Sequence, residues 1–299
     1  MSLPSIHREQ PLTPVITSPA SILSVKFHPE ENWLVTGNAD KTVRVHMYKK
    51  GNEDQPWETS QILTLPIHQG GVVSTEFHPT IKNRLLTSSL DNSFAVVDLF
   101  PEQEQSYHVL QQTRDHTKYV IRAKWHPTRP DMFVTAGYDH ICTLWHRESD
   151  SQPWTKRHSW QFAGNVEAAE FSADGEQLII ASRDVPYLTY VNLVSMCQTQ
   201  VSVNALGDDH VSFNVLDLEV DDKHVIACTD KSRVIMYKIG TPFQVRNFYG
   251  LENDEFSTPR VQLNSGHLYA VRHLTPVTPL LRSPIIRRPR KVNKFASLT

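Results

Sequence analysis

Apolar and polar positions alternate with a period of two through most of this chain, and the alternation breaks in the same order five times. Each copy is an apolar strand ending in a His-Pro or acidic turn, a second apolar strand, an aspartate, then a third apolar strand. The first strands end at Phe27-His28-Pro29, Phe77-His78-Pro79, Trp125-His126-Pro127, Phe171-Ser172-Ala173-Asp174-Gly175 and Leu218-Glu219-Val220-Asp221-Asp222, spaced by 50, 48, 46 and 47 residues. After a further 12 to 14 residues come Asp40, Asp91, Asp139, Asp184 and Asp230, leading into the runs TVRVHMY, SFAVVDL, ICTLWHR, YLTYVNL and RVIMYKI. Alternation over five to seven residues rich in Val, Ile and Tyr and bounded by turn residues predicts strands. A repeat near 47 residues built from such strands predicts an all-β array of four-stranded units, each stacked on its neighbours.

The copies resemble the WD-repeat family of β-propellers over roughly residues 20 to 270. The third copy carries the most specific match: His116 stands nine residues before Trp125, Thr135 lies in the second strand, Asp139 forms the turn and Trp145 ends the third strand. The resemblance implies that these four form a buried hydrogen-bonded set locking a blade. Such pairing is physically required, because a buried carboxylate without partners costs several kcal/mol. The other copies depart from the pattern. At the Trp-Asp position stand His46-Met47, Val97-Asp98, Trp145-His146, Val191-Asn192 and Tyr237-Lys238, and no Gly-His pair precedes a repeat, although His68 and His116 occupy the matching place. Arg147 is one place early for the signature of ubiquitin-ligase receptors, with Glu148 where the Arg belongs, so the likeness to that subgroup is poor.

Both ends differ from the body. Residues 1–20 are polar and proline-punctuated, and Val15-Ile16 reads as an outer strand that closes the last blade. Residues 21–270 form the propeller, with a sixth copy beginning at 259–270. Residues 271–299 hold seven Arg or Lys, four Pro and no Asp or Glu. By subtraction from 30 basic and 32 acidic residues, the rest carries 23 basic and 32 acidic, a net charge of −9. This tail is read as irregular or disordered. It is a basic arm for an acidic partner, an irregularly packed segment, or the product of a truncated or mis-spliced frame, and the abrupt change at Ala270 favours the last. Five blades and a fraction would leave the propeller incomplete or open, with an exposed edge and apolar faces, so the chain is expected to be marginally stable alone or to need a partner.

Candidate chemistry is sparse. Cys142, Cys197 and Cys228 lack C-x-x-C spacing and read as reduced core thiols. His28, His78 and His126 precede proline at equivalent turns and read as turn residues with outward rings. Gly207-Asp208-Asp209-His210 is a mixed acidic loop lacking the further ligands a cation needs. No phosphate loop, nucleophile elbow or H-E-x-x-H motif occurs. The expectation is therefore no catalytic residue, no metal and no cofactor. Without a sequon, leader or 18-residue apolar run, neither secretion nor membrane spanning is supported, and a cytoplasmic or nuclear protein is expected.

The resemblance implies a non-enzymatic scaffold that holds partner proteins or peptides in a multiprotein complex, on the face bearing the turn aspartates. Positions before those aspartates are Leu90, Tyr138, Arg183 and Thr229, and matching positions on the first strands are Tyr119, Glu167, Ser212 and Asn214. Tyr119, Tyr138 and Arg183 are of types enriched in interface hot spots. Changing Tyr138 and Arg183 together to Ala is expected to weaken partner capture and leave the melting temperature unchanged. Two alternatives stand beside this reading: a nucleic-acid-associated or RNA-processing factor acting through residues 271–299, and a propeller enzyme whose site would show as acidic or His groups converging on the central channel.

Overall fold

The computed structural model describes residues 18–49, 58–100, 106–204, 210–249, 259–264, 267–271 and 285–286. Five four-stranded antiparallel sheets follow one another along the chain. They are β1 (Ile22–Phe27), β2 (Trp33–Asn38), β3 (Val43–Lys49) and β4 (Glu58–Leu65); β5 (Val72–Phe77), β6 (Arg84–Ser89), β7 (Phe94–Phe100) and β8 (Ser106–Thr113); β9 (Val120–Trp125), β10 (Met132–Gly137), β11 (Ile141–His146) and β12 (Thr155–Gln161); β13 (Val166–Phe171), β14 (Gln177–Ser182), β15 (Tyr187–Asn192) and β16 (Gln198–Ser202); and β17 (Val215–Val220), β18 (His224–Thr229), β19 (Arg233–Lys238) and β20 (Gln244–Tyr249). A three-stranded sheet of β21 (Arg260–Asn264), β22 (His267–Val271) and β23 (Ile285–Ile286) comes last. The five four-stranded sheets are blades of a β-propeller.

The first strand of each sheet is innermost, since β1, β5, β9, β13, β17 and β21 pack on one another in that order. The second strands are the most deeply placed, with almost every residue buried. Successive sheets meet over apolar clusters, such as Val35, Val45 and Leu65 against Phe77, Leu85 and Val97, and Ala136, Cys142 and Leu144 against Val166, Phe171 and Leu178. Each blade is two-faced and cannot bury either face alone, so stacking supplies the core.

Several expectations are corrected by the coordinates. The fifth anchor is Val220, two residues beyond Leu218: Val220 pairs with Val225 as Phe171 pairs with Leu178, and a shorter turn had disguised the register. The rings of His28, His78 and His126 are buried and point between blades, because their nitrogens bond to backbone on both sides. Cys142 and Cys228 are core thiols, with burial pushing both pKa values up, but Cys197 lies exposed in the turn before β16. Ile285–Ile286, inside the basic tail, pairs with β22. Val15-Ile16 and Gly207-Asp208-Asp209 lie outside the described residues, as does the rest of 272–299.

Candidate functional site

The turn aspartates organise one face of the propeller. Asp91 and Asp139 each accept the backbone N–H two residues on, at 3.0 Å from Ser93 and 3.2 Å from Ile141, and Asp40 does the same from Thr42. The residue between is left-handed: Lys41, Asn92 and His140 have φ of 73°, 68° and 68°. Short polar side chains bond their own backbone in this way and so set tight turns. The same carboxylates reach the incoming loop, Asp91 accepting Gln69 N at 2.6 Å and Asp139 accepting Thr117 N at 3.0 Å. Turn and loop are thereby fixed against each other.

In the third blade the polar chain is complete. The Trp145 indole N–H donates to Thr135 Oγ1 at 2.8 Å, the Thr135 hydroxyl lies 2.8 Å from His116 Nε2, and His116 Nδ1–H donates to Asp139 at 2.9 Å. Every donor finds an acceptor with the imidazole neutral. Burial pushes the Asp139 carboxyl up, but the bonds from His116, Thr117 and Ile141 outweigh it and hold it below the usual carboxylate range. Gly137 is required beside it, because a Cβ there would sit 2.8 Å from Asp139 Oδ1 and 2.9 Å from His116 Nδ1. The second blade repeats the device with His68 between Thr87 (2.9 Å) and Ser93 (3.0 Å). Blades four and five substitute an amide: Asn214 accepts Asp184 N–H at 2.8 Å and donates to Asp230 at 3.1 Å.

Tyr119 and Tyr138 stand together on this face, with ring centroids 6.2 Å apart. Tyr119 is 48% exposed. With Asn92, Thr117, Lys118 and Asn165 they line a cleft of about 340 Å³. Its floor is polar. Residue 167 falls at the bulge that opens each innermost strand, which re-aims its side chain out of the pleat. Glu167 is thus 4% exposed and accepts the Tyr138 hydroxyl at 3.2 Å and Arg183 Nε at 2.7 Å. Burial and the Glu167 charge push the Tyr138 phenol up; burial lowers Arg183, but Glu167 more than offsets it.

Tyr119, Tyr138, Glu167 and Arg183 are therefore brought together. Ser212 and Asn214 are not part of the cleft: Ser212 bonds His210 at 2.7 Å, and Asn214 fixes the two turns above. Lys118, Asn92 and Asn165 were missed by the sequence reading, although each lies within two residues of a position it singled out. Removing Tyr138 and Arg183 together would strip both partners from buried Glu167, so that double change lowers stability as well as any binding. Arg147, four per cent exposed and stacked 3.9 Å over Trp154, is structural.

Charged residues do converge on the central channel. The penultimate residues of the five innermost strands are Lys26, Glu76, Lys124, Glu170 and Glu219. Lys26 pairs with Glu76 at 3.0 Å and Lys124 with Glu170 at 2.6 Å. One layer away, Arg122 pairs with Asp217 at 2.8 Å between the third and fifth blades. Burial raises the Glu76 carboxyl, yet Lys124 and Lys26 hold it low; Glu170 and Glu219 are raised by burial, Glu219 up to about 8. Three carboxylates and two lysines thus face the channel. Among the described residues no group of three or more His, Cys, Asp or Glu is placed to hold a metal, and no helix is long and apolar enough to cross a membrane.

Residues 12–46 match the family described as WD domain, G-beta repeat. Over 164 residues the chain is 24% identical to a guanine nucleotide-binding protein subunit beta of Oryza sativa subsp. japonica, covering 54% of this chain and 42% of that protein. It is 24% identical over 123 residues to the coronin-like protein crn1 of Schizosaccharomyces pombe, covering 39% and 20%. Against pre-mRNA-processing factor 19 of Oryza sativa subsp. japonica it is 25% identical over 157 residues, covering 51% and 28%. The chain thus spans less than half the length of these curated relatives.

Proposed function

The chain belongs to the WD-repeat family of β-propellers, and from that premise we propose that it is a non-enzymatic scaffold of the cytoplasm or nucleus whose turn-aspartate face holds a partner protein or peptide. The observation that carries this reading is the cleft of Tyr119, Tyr138 and Lys118. Its rings offer apolar area at low entropic cost, the Tyr138 hydroxyl is held by Glu167, and the adjoining turn is fixed by the Asp139 network. The rigid blades hold the turns while loop identity sets the ligand. The relatives are of the same repeat architecture, which fits a role inside a complex.

The test is a double variant of the full chain, Lys118→Glu with Tyr119→Ala. Both side chains lie outside the buried networks, so thermal melting should move by no more than about 0.5 kcal/mol. A partner set recovered by the wild-type chain should lose at least about tenfold in affinity, measured by titration with the purified partner. Undiminished affinity would remove this face from the function.

A further inference from the structure

Among the described residues nine buried side-chain polar atoms lack a hydrogen-bond partner, and four of them gather around one indole ring, that of Trp154. They are Arg84 Nη1, Arg147 Nε and the indole N–H groups of Trp125 and of Trp154 itself. The Arg147 guanidinium lies 3.9 Å over the Trp154 ring, and the Arg84 guanidinium and the Trp125 ring are each 5.9 Å from it. All four atoms are donors. A buried donor keeps its desolvation cost until an acceptor meets it, so the group as a whole calls for an anion.

The balance of charge points the same way. Arg84 is matched by Asp98, at 2.8 Å from Nε and 3.0 Å from Nη2. Arg147, with a side chain 4% exposed, is bonded to one carboxylate, that of Asp150, which is 85% exposed. The same Asp150 oxygen reaches Arg84 only at 3.9 Å. Burial and the neighbouring Arg84 charge hold Arg147 below the usual guanidinium range, against the opposing pull of Asp150, Asp131 and Asp98. One exposed carboxylate is thus shared by two buried guanidiniums on two blades.

Two serines flank that carboxylate. Ser149 and Ser151 lie in the exposed stretch 148–153 between β11 and β12. Their hydroxyls are 3.1 Å apart, in a turn that Gln152 N–H closes on Ser149 O at 3.1 Å. A phosphorylated serine brings about −1.5 to −2 of charge and three acceptor oxygens, on an arm one bond longer than that of aspartate. Guanidinium donors hold phosphate in a forked geometry that a single carboxylate oxygen cannot offer to two of them.

We infer that Ser149 and Ser151 form one phosphorylation site, at which a phosphate on either hydroxyl displaces the Asp150 carboxylate and bonds Arg84 and Arg147 across the seam between blades two and three. A serine kinase supplies the step. The serine oxygen attacks the terminal phosphoryl group of a nucleoside triphosphate, the hydroxyl proton passes to the kinase's base, and the nucleoside diphosphate leaves. The product ties two blades together and adds negative charge to the propeller face opposite the turn aspartates. That face is separate from the cleft of Tyr119 and Tyr138, so either assignment can fail without the other.

The test begins with the full chain isolated, with phosphatases inhibited, from the cells that express it. Trypsin releases Glu148–Lys156, and mass spectrometry should find that peptide carrying one phosphate, on Ser149 or Ser151. Phosphorylated and phosphatase-treated chains are then compared in urea. The phosphate should lower the unfolding constant about tenfold, as new charge-assisted bonds to buried arginines imply. In Arg84→Gln the same comparison should show no such gain, and any folding defect of the variant cancels because both forms carry it. A phosphorus NMR titration of the wild-type chain needs no variant at all: the second phosphate pKa should lie about one unit below the value of about 6 for a solvated phosphoserine. An unmodified peptide from the cells, a phosphate that titrates as if solvated and leaves the unfolding constant unchanged, or a gain that survives in Arg84→Gln, would each overturn the inference.

Discussion

Blades two and three solve the same folding problem as blades four and five with different chemistry. In the former, the turn aspartate is bonded to a buried histidine, and the turn histidine is keyed into the next blade. In the latter, Asn214 serves both aspartate turns, and the turn position holds Ser172 or Asp221. The strand order and the bulge at the head of each innermost strand are nevertheless the same. Alternation and turn geometry thus set the blade, and the polar locks are additions that can be exchanged.

If that is so, breaking a histidine lock should cost far more than breaking its amide substitute. His116→Ala leaves Asp139, with a side chain 2% exposed, with only the Thr117 and Ile141 N–H donors. The expected loss is about 2–3 kcal/mol, since the buried carboxylate and the Thr135 hydroxyl both lose the imidazole. Asn214→Ala, acting on more exposed turns, should cost about 1 kcal/mol. Urea unfolding of both variants measures the difference, and equal losses would erase the contrast between the halves.

The keyed interface can be tested from the receiving side. Gly175 has φ of +74°, and a Cβ there would lie 2.2 Å from His126 Cε1. Gly240 has φ of +70° with nothing within 4 Å. Gly240→Ala should therefore cost only the left-handed penalty, about 1 kcal/mol, whereas Gly175→Ala should cost about 1–2 kcal/mol more through displacement of the imidazole. Adding His126→Ala to Gly175→Ala should show non-additive relief in a double-mutant cycle. Strict additivity would mean that the ring is not held against Gly175.

The repeat, its five aspartates and the succession of strands in each copy were legible because alternation and turn residues act locally. The partnership of His116, Thr135, Asp139 and Trp145 was named only through the family resemblance, and the coordinates now give its distances. Other features depended on neighbours that the sequence does not place together. A histidine before proline looks like a surface turn until the next blade supplies Phe77 or Gly175. Lys26, Glu76, Lys124, Glu170 and Glu219 look like ordinary polar members of alternating strands until five strands face one channel. The anchor shift from Leu218 to Val220 came from a turn shorter than its fellows, and Ile285–Ile286 was hidden in a basic, proline-rich stretch.

The smallest expected effect is read from pH and separates the channel carboxylate from the turn aspartates. Burial pushes Glu219 up to about 8, with Lys124 opposing and Glu170 reinforcing the shift. An unfolded chain loses this proton near 4.5, while the folded chain keeps it to about 8. Between those values unfolding releases a proton, so stability falls as pH rises through the window and then levels off. Asp91 and Asp139 behave in the opposite sense: burial raises them, but hydrogen bonds hold both below 3.8, so their contribution is present above that value and disappears as the pH drops through their folded-state values. Asp40, Asp174 and Asp221 are held low as well, so the acid limb is shared around the propeller, whereas Glu219 contributes to the neutral-to-alkaline limb. Glu219→Gln should flatten the second limb by about 1 kcal/mol, the channel position being partly solvated, and leave the first untouched. Unfolding midpoints at pH 5, 7 and 9 decide it: a variant that still weakens between 5 and 9 as the wild type does would move the proton to another group.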